Sequence, residues 1–299
     1  MESLEGSSGV RRVVLSNQSF RRFKDKLAYG LGVLCVVLAM LPLASILFEV
    51  VGKGLPAISL GFLTKTTGNI TDPSSGIGNA IEGTLILIGV TSLIAVPIGL
   101  LAGIYLAEFG DNKFGRTIRF LNDVLAEFPS IVIGILAFSV VVIAIGHFSA
   151  IAGAVALSII MLPIVTRTTE ESIKLVPSSI RDASMALGIR RWRTSLSIVL
   201  VTAKDGVITG ILLSIARISG ETAPLLLTVL GSGFFFSGLD QPIDALPLRI
   251  FTDYKNSNYP SSLAQGWGAA LVLIMLVLGL NLSVRLLTRG RSSFARARA

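Results

Sequence analysis

The chain has 299 residues, of which 52% are hydrophobic and 15% charged, with a mean hydropathy of +0.76. That balance excludes an ordinary soluble domain, and the net charge of +8 falls between long apolar runs, which suits a membrane surface and not nucleic acid. One cysteine (Cys35) excludes an intrachain disulfide framework, and one histidine (His147) without a Cys/His cluster argues against a zinc site, so no metal or cofactor is expected.

Residues 1–26 are a basic tail without a motif, expected to be disordered over roughly its first 20 residues. A membrane-crossing helix needs roughly 20 mainly apolar residues. Six stretches approach this: 27–51, 81–107, 120–145, 150–166, 206–230 and 263–287. The first is too long for the apolar core of a signal peptide and has no small-residue cleavage site, so it reads as a retained span. The third opens with Asp123 and Glu127, which moves its apolar start to about Phe128. The fourth is short and suits a helix buried within a bundle.

The connections carry an uneven share of the basic residues. One set of tails and loops holds Arg11, Arg12, Arg21, Arg22, Lys24 and Lys26, then Lys113, Arg116 and Arg119. The same set holds Arg167, Lys174, Arg181, Arg190, Arg191, Arg193 and Lys204, and finally Arg285, Arg289, Arg291, Arg296 and Arg298. The opposite side has only Lys53, Lys65, Arg249 and Lys255. Both termini and the 167–204 loop are therefore expected in the cytoplasm. The triplet Asn69-Ile70-Thr71 matches a glycosylation sequon too short to carry weight.

Within the 167–204 loop, Pro177-Ser178-Ser179 reads as a helix start, with Ser179 and Asp182 at capping-box spacing. Gly188 supplies a stop at which a positive φ has little steric cost. A second short helix follows through Arg190, Arg191, Trp192 and Arg193. Small residues on the first helix would let a partner's groove approach; a helix pair lying on anionic headgroups is the competing reading. Asp182, Ala183, Ser184, Gly188, Ile198 and Leu200 follow the spacing of the EAA loop of ABC importer permeases, with Asp in place of Glu, Ser in place of Ala and Val201 where proline is usual.

Arg217 lies about 16 Å into the 206–230 stretch at 1.5 Å per residue, near the middle of a hydrocarbon core of about 30 Å. A charge there costs on the order of 2.5–3.5 kcal/mol. Glu221, four residues on, would share its helical face; Gly220 would admit a neighbouring backbone and Pro224 would kink the helix. The pair either tolerates burial through mutual neutralisation or lines a transport path, where a planar guanidinium fork suits an oxyanion. Arg167 is either a surface anchor or part of that path. Glu170 and Glu171 read as solvated loop charges, Glu82 as lying at the outer mouth, and His147 as a bystander in an outer turn. Residues 231–262 form the longest outer connection and read as a docking surface or an aromatic belt.

The stretches GIGNAIEGTL (76–85), PIGLLAGIYLAEF (97–109), LNDVLAEFPSIVIG (121–134), ALSIIMLPIVTRTTEESIKLVP (156–177) and ISGETAPLLLT (218–228) resemble PstA-type permeases of the phosphate ABC importer. The resemblance implies an all-α polytopic fold of six transmembrane helices, with the type I importer (MetI-like) architecture. It implies a permease domain over 27–288, with its core at 76–287 and a coupling loop at 167–204, between tails 1–26 and 289–299. It implies Arg217, Glu221 and Arg167 on the substrate path, and Asp182, Ala183, Ser184, Gly188, Ile198 and Leu200 at the ATPase contact. The implied partners are a PstC-type permease, a PstB-type ATPase dimer, a PstS-type phosphate-binding protein, phosphate and the bilayer of a prokaryotic inner membrane. There is no G-x-x-x-x-G-K-[ST], so the chain itself is not expected to hydrolyse ATP. A permease for another solute and a non-transporting receptor are the alternatives.

Overall fold

The computed structural model describes residues 5–68, 72 and 75–296; the sequon triplet and Arg298 lie outside them. Every regular element among the described residues is helical. The chain divides into two units, Met1–Gly52 and Lys53–Ala299. The described part of the first unit lies in one helix, α1 (Glu5–Gly54), which continues back through the polar tail where disorder was expected. Extending an existing helix requires no new nucleus, which is the costly step.

The second unit holds the remaining helices: α2 (Leu60–Thr64), α3 (Gly78–Phe109), α4 (Lys113–Glu127), α5 (Ser130–Ile145), α6 (Ala150–Lys174), α7 (Ser178–Ala186), α8 (Arg191–Ser219), α9 (Ala223–Thr228), α10 (Leu246–Lys255) and α11 (Pro260–Arg296). Among the described residues five helices are long and apolar enough to cross a membrane, and the α4–α5 pair would make a sixth, in line with the expected six.

Three span boundaries differ from those read along the chain. The third stretch is not one rod: α4 and α5 meet at 105°. Pro129 has no N–H to donate and forces Phe128 into an extended conformation (φ −68°, ψ 133°), so α4 stops there and apolar α5 begins where Phe128 marked it. The fourth helix runs to Lys174, two turns beyond its apolar stretch. The fifth begins at Arg191 and ends at Ser219, instead of spanning 206–230.

Helix α6 is the hub. Its Leu157, Met161 and Val165 are buried with Leu87 and Ala95 of α3, Ile218 of α8 and Leu225 of α9, as expected of a helix inside the bundle. Two glycine pairs set how close its neighbours come. On α3, a Cβ at Gly99 would meet Val165 Cβ at 2.9 Å, and one at Gly103 would meet Thr169 Cβ at 2.6 Å. On α8, Cβ atoms at Gly206 and Gly210 would meet Ser172 Oγ at 2.6 Å and Thr168 Oγ1 at 2.2 Å. Each pair is a G-x-x-x-G face pressed against α6.

The 231–262 connection is only partly a surface. Asp244, Leu246, Leu248, Arg249 and Asp253 are buried, and α10 packs on α11. Its exposed side chains include Phe234, Phe235, Phe236 and Leu239, which leaves an aromatic stretch available to a partner.

Candidate functional site

Arg217 and Glu221 pair as their spacing suggests, but not on one continuous helix. The Arg217 Nη1 donates to Glu221 Oε1, with Arg217 in the last turn of α8 and Glu221 in the break beyond it. A proline ring clashes with the carbonyl four residues back, which for Pro224 is that of Gly220. Helix α8 accordingly closes at Ser219 with Gly220 as its cap, and α9 restarts with Pro224 in its first turn. The pair thus belongs to a helix break and not to mid-helix. Gly220 meets nothing within 4 Å, so it does not serve a close backbone approach. The two charges are unequally placed: the Glu221 side chain is 6% exposed and that of Arg217 54%. The carboxylate is set in the wall while the guanidinium reaches a free surface with donors to spare.

Arg167 lies within α6, not at its end, and is exposed. Its Nε donates to Glu171 (3.1 Å) and its Nη1 to Asp123 of α4 (3.5 Å). Its charged partners are therefore distinct from that of Arg217, and the two arginines are not paired through a shared acid. Glu171 is solvated as expected. Glu170 is not: it is buried and accepts from Arg119 Nε (2.7 Å) and Lys174 Nζ (2.5 Å). An acid in a linear reading looks solvated because its partner here is 51 residues away.

The predicted elbow is present. Helix α7 ends at a Schellman turn, with the Gly188 N–H donating to Met185 O (2.9 Å) and the Ile189 N–H to Ser184 O (3.3 Å), and Gly188 at φ +78°. Its start differs from expectation: Pro177 is the N-cap and no side chain caps it, so Ser179 and Asp182 form no capping box. Asp182, Ala183 and Gly188 are exposed. Ser184 faces inward, its Oγ 2.8 Å from Thr194 Oγ1, and ties the two arms together instead of offering a small surface. Ile198 and Leu200 are half-buried at the base, where Leu200 packs against Ile173, Val176 and Val207. Met185, Leu187 and Trp192 remain exposed, making an apolar crest flanked by Arg190 and Arg193.

At the opposite end of the bundle lies a buried polar layer. Asn79 Nδ2 donates to Ser232 O (2.6 Å) and Asp244 Oδ2 (3.4 Å). Arg249 lies 3.0 Å from Asp253 and donates to Gln265 Oε1 (2.8 Å); Ser262 Oγ donates to Asp253 Oδ1 (3.2 Å). Nearby, Glu82 accepts from the Phe236 N–H (3.0 Å), and His147 lies 3.6 Å from Asp240. Burial pushes both Asp244 and Asp253 up to about 6; their mutual repulsion adds to the Asp244 rise, while Arg249 opposes both. A folded value above the ordinary 3.8 means the folded chain holds protons more tightly than the unfolded one. The resulting stability is fully present below 3.8 and is lost as pH rises through about 6. Asp244→Asn, which mimics the protonated acid, should raise the melting temperature at about pH 8 by about 2–4 °C. The gap over the parent should narrow as pH falls below about 6 and close only below 3.8; a thermal-shift series in detergent reads both.

Comparison with known proteins identifies the family and the fold. Residues 95–293 match the family described as binding-protein-dependent transport system inner membrane component. The phosphate transport system permease protein PstA of Haemophilus influenzae is 41% identical over 268 residues, covering 89% of this chain and 94% of that protein. The probable PstA of Methanocaldococcus jannaschii is 36% identical, covering 91% and 96%. Among solved structures, a chain of the MetNI methionine ABC transporter in inward-facing conformations aligns with a TM-score of 0.55 at 17% identity, covering 72% of this chain and 94% of that one. At that identity the likeness shows the fold alone, all-α and multi-span as expected. On the family match and on identities above a third across nine-tenths of its length, the chain belongs to the binding-protein-dependent transport permeases and, among them, to the PstA-type phosphate transport permeases.

Proposed function

We propose that this chain forms half of the membrane path of an ATP-driven inorganic phosphate importer. A PstC-type permease supplies the other half, a PstB-type ATPase dimer grips the elbow, and a PstS-type protein delivers phosphate at the opposite face. The observation that carries the reading is the half-exposed Arg217 guanidinium at a helix break, backed by the buried Glu221. A planar fork donates two hydrogen bonds to one oxyanion, and the neighbouring carboxylate weakens the grip enough for release. Arg167 serves as a second positive station, tempered by Asp123 and Glu171. With the basic connections on the cytoplasmic side, both termini and the elbow face the cytoplasm. The chain carries no P-loop, so the work comes from the docked ATPase, and the elbow passes its movement to the spans as a rigid-body displacement.

Reconstituting the complex in vesicles and following labelled phosphate tests the reading: uptake should require ATP and the binding protein, and an inert complex would refute it. Asp182, Ala183 and Gly188 on the exposed face, and Ser184, Ile198 and Leu200 behind it, make the elbow a preformed dock. Gly188→Val forces a β-branched residue into left-handed backbone at a cost of about 1–3 kcal/mol. Co-purified ATPase should then fall on the order of tenfold. Undiminished recovery would remove the elbow from the docking role.

A further inference from the structure

Glu108 was not singled out by its sequence context, yet both arms of the elbow converge on it. It lies in the last turn of α3, where the helix dipole disfavours an anion, and its side chain is 5% exposed. Both facts disfavour an isolated acid at this position, so its placement there depends on the donors around it. Arg181 of α7 donates through Nε to Oε1 at 2.8 Å. Ser195, in the first turns of α8, donates to Oε2 at 3.2 Å, and Arg191 at the head of α8 donates to the Glu108 carbonyl. One residue of α3 is thus bonded to the helix on each side of the Gly188 turn.

The same arginine closes a second connection. Arg181 donates through Nη1 to Val176 O (2.6 Å) and through Nη2 to Ile173 O (2.9 Å), adding a charged donor to carbonyls at and just beyond the end of α6. A mirrored arrangement links the same two helices, α3 and α6, from the other side. Arg119 of α4 caps the end of α3 at Leu106 O (2.7 Å) and Gly110 O (3.1 Å), and its Nε is neutralised by Glu170 of α6. Each acid sits on one of the two closely packed helices, and its arginine caps the other. Charge-assisted bonds of this kind are directional and stiff, whereas the apolar cluster of Ile104, Ile173, Val199 and Val207 beneath them permits sliding. Helix α3 then extends about 48 Å at 1.5 Å per residue, to the polar layer at the far end.

We propose that Glu108 is the positioning residue that joins the elbow to α3, so that displacement of the elbow by the ATPase becomes displacement of the transport path. This rests on the reading of the elbow as the ATPase dock. The test uses the complete importer in proteoliposomes and reads phosphate taken up per ATP hydrolysed, a ratio that loss of folded complex does not move. Glu108→Gln keeps the side-chain volume and removes the charge. The ATPase should remain bound at parental stoichiometry while the ratio falls on the order of tenfold. Ser195→Ala, which removes one contact and spares the ion pair, should lower it by roughly twofold and decides the matter where Glu108→Gln folds poorly. An unchanged ratio in the folded variants overturns the proposal. So does loss of the ATPase in either, which would assign Glu108 to docking and not to transmission. Failure of the docking reading is seen separately, as full ATPase recovery with Gly188→Val.

Discussion

Arg217→Gln should abolish phosphate uptake while the complex still assembles. Glutamine keeps the length and hydrogen-bonding reach of the side chain but not its charge. An oxyanion leaving water then finds one neutral amide where it had a charged fork, beside a carboxylate that repels it. Removing the charged donor from such a contact with a bound anion costs about 2–5 kcal/mol, about 30-fold to several thousandfold in rate. Assembly should survive because Arg217 is half exposed and takes no part in the core around Leu157, Met161 and Ile218. Two companion variants separate transport from packing. Arg217→Lys keeps the charge without the planar fork and should retain only a small fraction of uptake. Arg217→Gln combined with Glu221→Gln removes the unpaired buried acid; if that double variant transports normally, the pair serves only to neutralise itself. Initial rates of labelled phosphate entry, normalised to assembled complex, decide between these outcomes.

The number of spans, the elbow with its glycine turn and the Arg217–Glu221 partnership could all be read along the chain, because each depends on residues within a turn or two of one another. The helix break at Gly220 could not be read from hydropathy, since Ile218 and Leu225–Leu227 keep the window apolar across it; Pro224 carried the signal, read as a kink where it is a stop. The capping box failed for a related reason. Spacing makes Ser179 and Asp182 candidates, but Pro177 already fixes where α7 begins.

Charges at helix ends were the least legible. Glu108, Glu170, Arg249 and Asp253 are ordinary residues in one dimension, with no local pattern that marks them as buried. Their burial follows from partners far along the chain: Arg181 is 73 residues from Glu108, and Arg119 is 51 from Glu170. Arg249 and Asp253 do share a helix turn, but nothing local indicates that α10 folds inward beneath α11 with Gln265 to receive them. The glycine faces Gly99/Gly103 and Gly206/Gly210 were in plain view as G-x-x-x-G pairs and signal helix crossings in any span; what they could not tell was that both address α6.

That shared address makes Gly103 a position where one substitution should cost heavily. A Cβ at Gly103 would lie 2.6 Å from Thr169 Cβ and 2.7 Å from Thr166 O, both on α6. Carbon atoms rest at about 3.5–4.0 Å, so even alanine would push the two helices apart by about 1 Å, and leucine by more. The obstacle is partly backbone, which no rotamer change relieves. Overpacking of this kind costs about 1–3 kcal/mol where side chains can yield and more where they cannot. Separation would also strain the bonds from Arg181 and Arg119 that tie α3 to α6 at the elbow end. Gly103→Leu is therefore expected to yield little or no monodisperse protein on size exclusion, and rapid cleavage by added protease. Gly89→Leu on the same helix is the control. A Cβ there meets nothing within 4 Å, and leucine favours the helix over glycine by up to about 1 kcal/mol, so that variant should match or exceed the parent. If Gly103→Leu instead behaved like Gly89→Leu, the close α3–α6 crossing would not be what holds the bundle together.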